Sequence, residues 1–222
     1  MGIALAIYVM DFLVNLVGFA ISGTERKANV TTVTRQRRPA FDREKGVEIA
    51  KALFHARGYD AVGIAELTQA LEINPPSLYA AYGNKLGLFE RVLELHCATN
   101  SLPVDKYLRP GKPPAEALTE LMVAAARYYT RDPTQLGCLV TESMQADDPQ
   151  ARELAGRFAK AGSEIIRSYI EQHAAKKDVD RISDYILLNL RGLSSYARLN
   201  YTAKKLVDCS RTAGRALDTE FG

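Results

Sequence analysis

The fold of this chain is decided by the stretch from Gly58 to Phe89, which reads GYDAVGIAELTQALEINPPSLYAAYGNKLGLF. Apolar residues recur there at three- and four-residue spacing over 64–71, which predicts a short amphipathic helix. A second short helix is predicted over 75–81, because the Asn-Pro-Pro sequence joins a preferred N-cap residue to proline in the first helical turn. Two short helices joined by a tight turn are typical of a helix-turn-helix, whose second helix can lie in the major groove of DNA.

Further helices are predicted on both sides of this motif. Upstream, apolar residues from Val47 to Phe54 recur at helical spacing, which predicts a helix over 42–56. Downstream, Asn84 is placed to cap the next helix. Residues 41–97 are therefore predicted to form a three-helix head that contains the helix-turn-helix.

The remainder of the chain, residues 98–222, is predicted to be a larger helical body. Turn-forming residues divide it into helices at about 114–131, 136–145, 149–173, 180–199 and 203–219. No segment has the sustained alternation of β-branched and polar residues that indicates a strand. The predicted fold class is therefore all-α.

The helix predicted over 180–199 is apolar over more of its circumference than one partner can cover. One face carries Ile182, Tyr185, Ile186, Leu190, Leu193 and Ala197. Other positions of the same helix carry Leu187, Leu188 and Tyr196. A core on one side and a second copy of the chain on the other would cover both, so a homodimer is expected. Complete burial within a monomer is the alternative.

Positive charge is concentrated before and within the first predicted helix. The net charge of the chain is only +3, which excludes a general polycation, but residues 26–51 contain eight basic and three acidic residues. A local basic segment favours contact with phosphates, because binding releases counterions. Arg35, Arg37 and Arg38 lie directly before the first helix, where a DNA-binding arm is expected. The alternative is a solvated leader.

Residues 2–22 form a nearly continuous apolar run that is interrupted by Asp11 and Asn15. Its length is close to that of a membrane span, but no basic residue precedes it, and an aspartate at mid-span is unfavourable in lipid. Three interpretations of this part of residues 1–40 stay open: a mis-assigned start codon, a membrane anchor, or an apolar helix packed on protein. A membrane anchor would favour a membrane-tethered signalling or adaptor protein.

The chain lacks the residue patterns of common catalytic and metal sites. It contains no HExxH, P-loop, GxSxG or GxGxxG sequence, so we expect no enzyme, no catalytic residue and no cofactor. Cys97, Cys138 and Cys209 are widely spaced and odd in number. Their spacing argues against a disulfide framework and against a zinc site, so no metal is expected.

The sequence from Phe41 to about His96 resembles the TetR/AcrR family of bacterial regulators. The family pattern includes a Gly-aromatic pair after the first helix, here Gly58-Tyr59, and a recognition helix followed by lysine, here SLYAAYGNK over 77–85. The resemblance implies an all-helical transcription regulator, expected to be a repressor, that works in the cytoplasm as a homodimer. The phrase INPPSLYAAYG and a later Gly-Cys pair further resemble one subgroup of these repressors.

This resemblance also implies that the head contacts a double-stranded, palindromic operator. Carried over by position, the groove and backbone contacts are Asn74, Pro75, Pro76, Ser77, Tyr79 and Tyr82, with Thr68 on the DNA backbone and Lys85 as a phosphate anchor. Two residues depart from the family pattern. Gly63 replaces the usual Ser or Thr cap of the second helix, and Glu72 stands where the turn usually has glycine. A left-handed conformation at Glu72 would cost about 1 kcal/mol.

By the same resemblance, the body binds a small effector that releases the protein from its operator. The side chains suited to line an effector cavity are Met122, Tyr128, Tyr129, Cys138, Met144 and Phe158. Simple core packing is the alternative for each of them. Cys138 follows Gly137 near a predicted helix start, so modification of its thiol by a reactive effector is a second possibility.

Overall fold

The computed structural model of the protein describes residues 41–222, which form nine α-helices and one short 3-10 helix. In chain order the α-helices are α1 (Arg43–Arg57), α2 (Ile64–Ala70), α3 (Pro75–Tyr82), α4 (Lys85–Asn100), α5 (Pro114–Tyr129), α6 (Leu139–Ser143), α7 (Pro149–Glu171), α8 (Val179–Arg198) and α9 (Ala203–Phe221). The 3-10 helix, Val104–Lys106, lies between α4 and α5. No strand is present within 41–222, and the predicted all-α fold is confirmed.

Side-chain caps set where the helices of the head begin. The Asp42 carboxylate accepts hydrogen bonds from the backbone amides of Glu44 and Lys45 at 3.0 and 3.1 Å, which starts α1. Asn74 and Asn84 do the same for α3 and α4, and each accepts a hydrogen bond from the amide three residues further on, at 2.9 and 2.7 Å. These caps satisfy amides that have no partner inside the helix, which is why short polar residues predict the helix starts correctly.

The core of the head is continuous with part of the body. This shared core joins Phe54, Leu78 and Phe89 of the head to Leu139 of α6 and Leu154 of α7. In addition, α4 runs on beyond residue 97, where the sequence predicts the end of the head. The head is therefore attached to the body by common apolar burial, which stabilises by about 25 cal/mol per Å² of apolar surface removed from water.

A second core fills the body between α5, α7, α8 and α9. The apolar face predicted for α8 lies in this core, since Ile182, Ile186, Leu190, Leu193 and Ala197 are all buried. The helices α5 and α9 approach closely at Gly214, where a Cβ atom would lie closer than 3.0 Å to the Thr119 side chain. A glycine at this point is therefore needed for the two helices to touch.

The structure differs from the sequence prediction at α6. The sequence predicts a helix over 136–145, but α6 contains only the five residues Leu139–Ser143. Gly137 has a φ of +78° and Cys138 has an extended backbone, and neither conformation belongs to a right-handed helix. A Cβ atom on Gly137 would lie 3.0 Å from the backbone oxygen of Ser194. Close packing against α8 thus delays the start of α6.

Two sequence interpretations concern residues outside the described range. They are the apolar run 2–22 and the basic arm with Arg35, Arg37 and Arg38, so both remain sequence-based expectations. Among the helices formed by residues 41–222, none combines the length and the apolar character that a membrane span requires.

Candidate nucleic-acid interface

A tight turn joins α2 to α3, as the sequence predicts. Glu72 adopts a left-handed conformation there, with a φ of +54°. Two backbone hydrogen bonds close the turn: Glu72 N donates to Gln69 O at 3.2 Å, and Ile73 N donates to Thr68 O at 3.1 Å. Gly63 begins α2 without a side-chain cap. Glu72, in place of the usual glycine, is therefore left-handed, and Gly63, in place of the usual Ser or Thr, leaves α2 without a side-chain cap.

The helix α3 presents one side to the head and another to solvent. Leu78 is fully buried, whereas Pro75 and Pro76 are exposed and 47% of Tyr79 is exposed. We call Pro75, Pro76 and Tyr79 the α3 outer face. Its two proline rings, aromatic ring and hydroxyl group suit contact with thymine methyl groups and a single polar contact rather than bidentate base recognition.

Two predicted contact residues use their polar groups inside the head. The Tyr82 side chain is buried, and its hydroxyl donates to the backbone carbonyl of Arg43 at 2.8 Å. Thr68 is also buried, and its hydroxyl donates to the carbonyls of Ile64 and Ala65 at 2.9 and 3.0 Å. We therefore assign Tyr82 and Thr68 to the packing of the head rather than to contacts with DNA.

The start of α3 holds two further predicted contact residues. Asn74 is exposed and Ser77 is half-buried. The Asn74 side-chain oxygen accepts from the Ser77 amide at 2.9 Å, so this oxygen serves as the helix cap. Asn74 thus fixes the first turn of α3, beside the α3 outer face.

Lys85 lies beside the aromatic core of the head. Its Nζ atom is 3.9 Å from the centroid of the Tyr59 ring, which is a cation–π contact. Burial lowers the pKa of the Lys85 ammonium group, while the carboxylates of Asp60 and Asp148 act in the opposite direction. The side chain is half-buried rather than enclosed, and it begins α4 directly after the α3–α4 turn. A phosphate close to this turn could share the ammonium group with Tyr59.

The residues predicted to line an effector cavity divide between the two cores. Met122 and Tyr129 are buried in the core of the body. Met144 and Phe158 pack against the core shared with the head, and Cys138 packs against both. The candidates within the described part of the chain therefore do not gather around one common cavity.

The remaining candidate, Tyr128, lines an open groove of about 440 Å³ on α5. Other lining residues are Tyr107, Val123, Arg127 and Arg131. The Arg131 guanidinium lies 3.8 Å above the Tyr128 ring. The groove thus combines aromatic and cationic groups at the surface of the body.

Cys138 belongs to a cluster of sulfur and imidazole groups between the head and the body. Its Sγ atom is 3.9 Å from His96 Nε2, and the His96 ring packs edge-to-face on His55 with 5.8 Å between centroids. Burial lowers the pKa of His96 to about 3, so its imidazole is neutral at pH 7. Burial raises the pKa of the Cys97 thiol to about 11, which keeps that thiol protonated. Because an imidazole with so low a pKa is a weak base, the geometry places His96 beside the Cys138 sulfur without making it a proton acceptor for the thiol.

Within residues 41–222, no group of three or more His, Cys, Asp or Glu side chains is arranged to hold a metal ion. The three cysteines are free thiols, and Cys209 is exposed on α9.

Apolar side chains are exposed along α8 and just beyond it. The exposed fractions are 68% for Leu188, 48% for Tyr196 and 66% for Leu199. Tyr201 packs edge-to-face on Tyr196 with 4.8 Å between ring centroids. We call these four residues the α8 outer face. An exposed group of large apolar residues is typical of an interaction surface.

Sequence analysis missed the polar residues that join the head to the body. Arg198 donates to His55, which lies 143 residues away in the chain. Asp60 accepts a hydrogen bond from the amide of Asp147, 87 residues away. Such pairs leave no local pattern in one sequence, so nothing in the spacing of these residues could have indicated them.

Known proteins resemble this chain over most of its length. Residues 47–92 match the family described as bacterial regulatory proteins, tetR family. Over 179 residues the chain is 39% identical to the HTH-type transcriptional repressor BdcR of Escherichia coli (strain K12). This alignment covers 81% of this chain and 90% of BdcR. Over 192 residues it is 26% identical to the repressor ComR of the same organism, covering 82% of this chain and 91% of ComR.

A solved structure gives a similar result. It contains a cysteine mutant of the TetR-family regulator CifR in complex with 26-bp double-strand operator DNA. This chain superimposes on it with a TM-score of 0.71 and 29% sequence identity, covering 81% of this chain and 99% of the CifR chain.

Proposed function

Because this chain belongs to the tetR family of bacterial regulatory proteins and is a DNA-binding transcriptional regulator, we propose that it is a repressor that binds a palindromic operator as a homodimer. The observation that carries the proposal is the α3 outer face, where Tyr79 stands 47% exposed while Leu78 anchors the helix in the core. BdcR is itself a repressor, and CifR is seen on operator DNA. In a twofold dimer each subunit offers one recognition helix to one half-site.

We propose that the DNA-contact set combines three parts of the chain. The α3 outer face and the neighbouring Ser77 contact bases, Lys85 contacts a phosphate, and the basic residues before α1 contact the adjacent DNA. The full set is Arg35, Arg37, Arg38, Asn74, Pro75, Pro76, Ser77, Tyr79 and Lys85. Few of these side chains can form bidentate base contacts, so DNA shape contributes to recognition.

The same proposal gives the head and the body different roles. Residues 41–97 read DNA, and residues 98–222 dimerise and receive a signal, without catalysis. The protein acts in the cytoplasm, where bacterial operator DNA lies. The Pro75-Pro76 and Gly137-Cys138 pairs support membership of the subgroup whose recognition helix begins with a proline pair.

The dimer is supported by the α8 outer face. Leu188 and Leu199 are each about two-thirds exposed, at 68% and 66%, which is unfavourable for aliphatic side chains left in water. The buried face of α8 already packs in the core of the body, and we propose a second copy of the chain as the partner that covers the outer one. A second copy placed on the same face gives a closed, twofold interface.

Replacement of Tyr79 by alanine should weaken operator binding by about tenfold or more while affinity for random DNA changes little. The side chain stands on the α3 outer face, and a contact that reads a base contributes about 1 to 3 kcal/mol of discrimination. Parallel titrations of operator and random DNA measure both affinities. Tyr79→Phe separates the hydroxyl from the ring. Equal loss on both DNAs would assign Tyr79 to the DNA backbone instead.

Replacement of Lys85 by methionine should weaken binding to every DNA sequence alike. Methionine keeps an apolar side chain beside Tyr59 but removes the charge, so one phosphate contact is lost. The slope of log affinity against log salt should become less steep by about one unit. Titrations at several salt concentrations test this. An unchanged slope would show that the ammonium group serves Tyr59 alone.

We propose that the releasing signal is a small molecule, and that thiol-reactive electrophiles act at Cys138. The thiol loses its proton to water, and the thiolate sulfur forms a bond to the electrophilic carbon. For a maleimide, the carbon–carbon double bond opens and its other carbon takes a proton from water. A non-covalent effector would instead occupy the groove at Tyr128.

Alkylation by N-ethylmaleimide should release the wild-type protein from its operator, and Cys138→Ser should prevent the release. Serine keeps the size of the side chain but is a far weaker nucleophile, so affinity before treatment should stay within about twofold of wild type. The matched control is Cys209→Ser, which removes the exposed thiol on α9 and should remain sensitive. Release of the Cys138→Ser protein by N-ethylmaleimide would refute the assignment of the thiol.

A promoter fusion tests the proposed function in cells. The operator of the chain is placed before a reporter gene, and the chain is expressed from a separate promoter. Repression predicts that reporter output falls when the chain is expressed and recovers when N-ethylmaleimide is added at a sublethal dose. An increase in reporter output on expression would show an activator, and no change would contradict regulation at this operator.

A further inference from the structure

Two polar contacts join the head to the body at opposite kinds of helix end. The Arg198 guanidinium, at the end of α8 in the body, donates to carbonyls at the end of α1 in the head. The Asp60 carboxylate, in the head, accepts hydrogen bonds from amides that precede α7 in the body. We call Asp60 and Arg198 the junction clamp. Each half of the clamp crosses from one part of the molecule to the other.

The Arg198 half caps the C-terminus of α1. Its Nη1 atom donates to His55 O at 2.7 Å, and its Nη2 atom donates to Ala56 O at 3.4 Å. Both carbonyls belong to the last turn of α1, where no amide further along the helix is available to them. A cation is favourable at this end of a helix, because the helix dipole is negative there.

The Asp60 half holds the two residues directly before α7, whose own N-cap is the Asp148 side chain. The amides of Asp147 and Asp148 donate to the two Asp60 carboxylate oxygens at 2.8 and 3.1 Å. An anion is favourable at this end of a helix, where the dipole is positive. Arg198 thus places a positive charge at the C-terminus of α1, and Asp60 places a negative charge near the N-terminus of α7. In both cases the hydrogen bonds are charge-assisted.

A small cavity shows that apolar packing alone leaves room at this junction. The cavity has a volume of about 150 Å³ and lies between head residues such as Tyr59 and body residues such as Leu139. Arg198 and Glu142 also line it. The walls of this space lack partner atoms across the gap, so apolar packing there contributes less to the junction than it does in the shared core.

One ion pair and two hydrogen bonds connect the clamp to the backbone of Cys138. Glu142 lies 3.7 Å from the Arg198 Nε atom and accepts a hydrogen bond from the Ser194 hydroxyl at 2.6 Å. The Ser194 oxygen in turn accepts from the Cys138 amide at 2.9 Å.

We propose that Asp60 and Arg198 are positioning residues that fix the angle between head and body, and thereby the separation of the two recognition helices in the dimer. This inference rests on the proposed function, since it needs an operator with two half-sites. Neither residue contacts DNA in this account. The clamp selects operators by half-site spacing, because a head held at one angle fits one spacing.

Spacing preference separates this role from a merely structural one. A variant with a weakened clamp should bind operators of altered spacing almost as well as the original, because its heads can adjust. A variant that is only destabilised loses affinity for all operators in proportion. The measured quantity is therefore the ratio of the affinities for the original operator and for operators with one or two base pairs inserted at the centre.

The experiment compares Arg198→Met and Asp60→Ala with two matched controls. The controls are Arg109→Met, between the 3-10 helix and α5, and Glu153→Ala on α7, two exposed residues whose side chains make no hydrogen bond or ion pair within residues 41–222. The wild type and both controls should show the same strong preference for the original spacing. Each clamp variant should lose about tenfold of that preference, with random-DNA affinity unchanged. Arg198→Lys, which keeps the charge but not the fork, should lie between them.

Each outcome decides between the possibilities. Retention of the wild-type spacing preference by both clamp variants would overturn the inference. Proportional loss at every spacing, with a lower unfolding temperature, would also overturn it and leave the clamp a structural feature. If the wild type binds no paired half-sites, the proposed function itself fails, and this is visible in the wild-type titration before any variant is considered.

Discussion

Replacement of Gly46 by valine should abolish operator binding. Gly46 lies in α1 where this helix crosses the end of α3, and a Cβ atom there would lie closer than 3.0 Å to Tyr82 Oη and Phe41 Cζ. The Tyr82 ring is fixed by its hydrogen bond to Arg43 O at 2.8 Å and by an edge-to-face contact with Phe41. Tyr82 is buried and Phe41 is half-buried against it, so the rings can move only by giving up these contacts, and the added methyl groups strain the packing of α1 on α3.

The expected effect is large. Overpacking of a filled core destabilises by about 1 to 3 kcal/mol, and displacement of α3 removes the orientation on which base contacts depend. Operator affinity should fall by at least about 100-fold, which corresponds to about 2.7 kcal/mol. A gel-shift titration measures the affinity, and thermal unfolding measures the stability of the head.

A matched glycine tests the reason for the effect. Gly156 also lies within a helix, α7, but a Cβ atom there would meet nothing within 4 Å. Gly156→Val should therefore bind the operator with nearly wild-type affinity. Equal binding by Gly46→Val and the wild type would contradict the packing of α1 on α3 described here.

Replacement of Leu188 by glutamate should convert the dimer into monomers. Leu188 is 68% exposed on the α8 outer face, next to the exposed rings and aliphatic groups that a second copy would cover. Two carboxylates facing each other across a twofold interface would be desolvated without a partner, and their mutual repulsion adds to this cost. The monomer keeps its fold, because Leu188 does not belong to the core of the body.

Loss of the dimer should lower operator affinity by about 100-fold or more, since each monomer then binds one half-site without the second. Analytical ultracentrifugation measures the mass, and the same preparation is titrated with operator. The control is Ile165→Glu, which places the same charge on an exposed apolar position of α7, at 47% exposure. A dimeric Leu188→Glu protein, or a monomeric Ile165→Glu protein, would refute the assignment of the interface to α8.

Local signals in the sequence predicted the head well. The starts of α3 and α4 follow from caps at Asn74 and Asn84, which act within three residues. The left-handed conformation at Glu72 and the uncapped start of α2 follow instead from the family resemblance, which places these residues at the turn and at the helix start. Each of these features depends on contacts between neighbours in the chain, and neighbours are what one sequence displays.

The side of α3 on which a residue lies could not be predicted with the same success. Tyr79 and Tyr82 are equally able to reach a phosphate or to fill a core. The structure buries Tyr82 because Gly46, far away in sequence, leaves space for its ring. Burial thus depends on how α1 crosses α3, which no local pattern states.

The packing of the body was more difficult to predict from the sequence than that of the head. Residues such as Met122 and Met144 have the character of cavity-lining side chains, yet they lie in different cores. The sequence gives no sign that α6 and the first part of α7 share the core of the head. The junction clamp is invisible for the same reason, since it joins helix ends that meet only in the folded chain.

In the proposed complex, α3 of each subunit reads one half of a twofold operator. Selection of bound fragments from genomic DNA of the source organism, followed by sequencing, tests this claim most directly. The account predicts an enriched inverted repeat whose half-sites are centred about one helical turn, or a small multiple of it, apart. Tyr79→Ala should lower the enrichment of that repeat. Enrichment of a single asymmetric half-site, or of no sequence at all, would contradict the account.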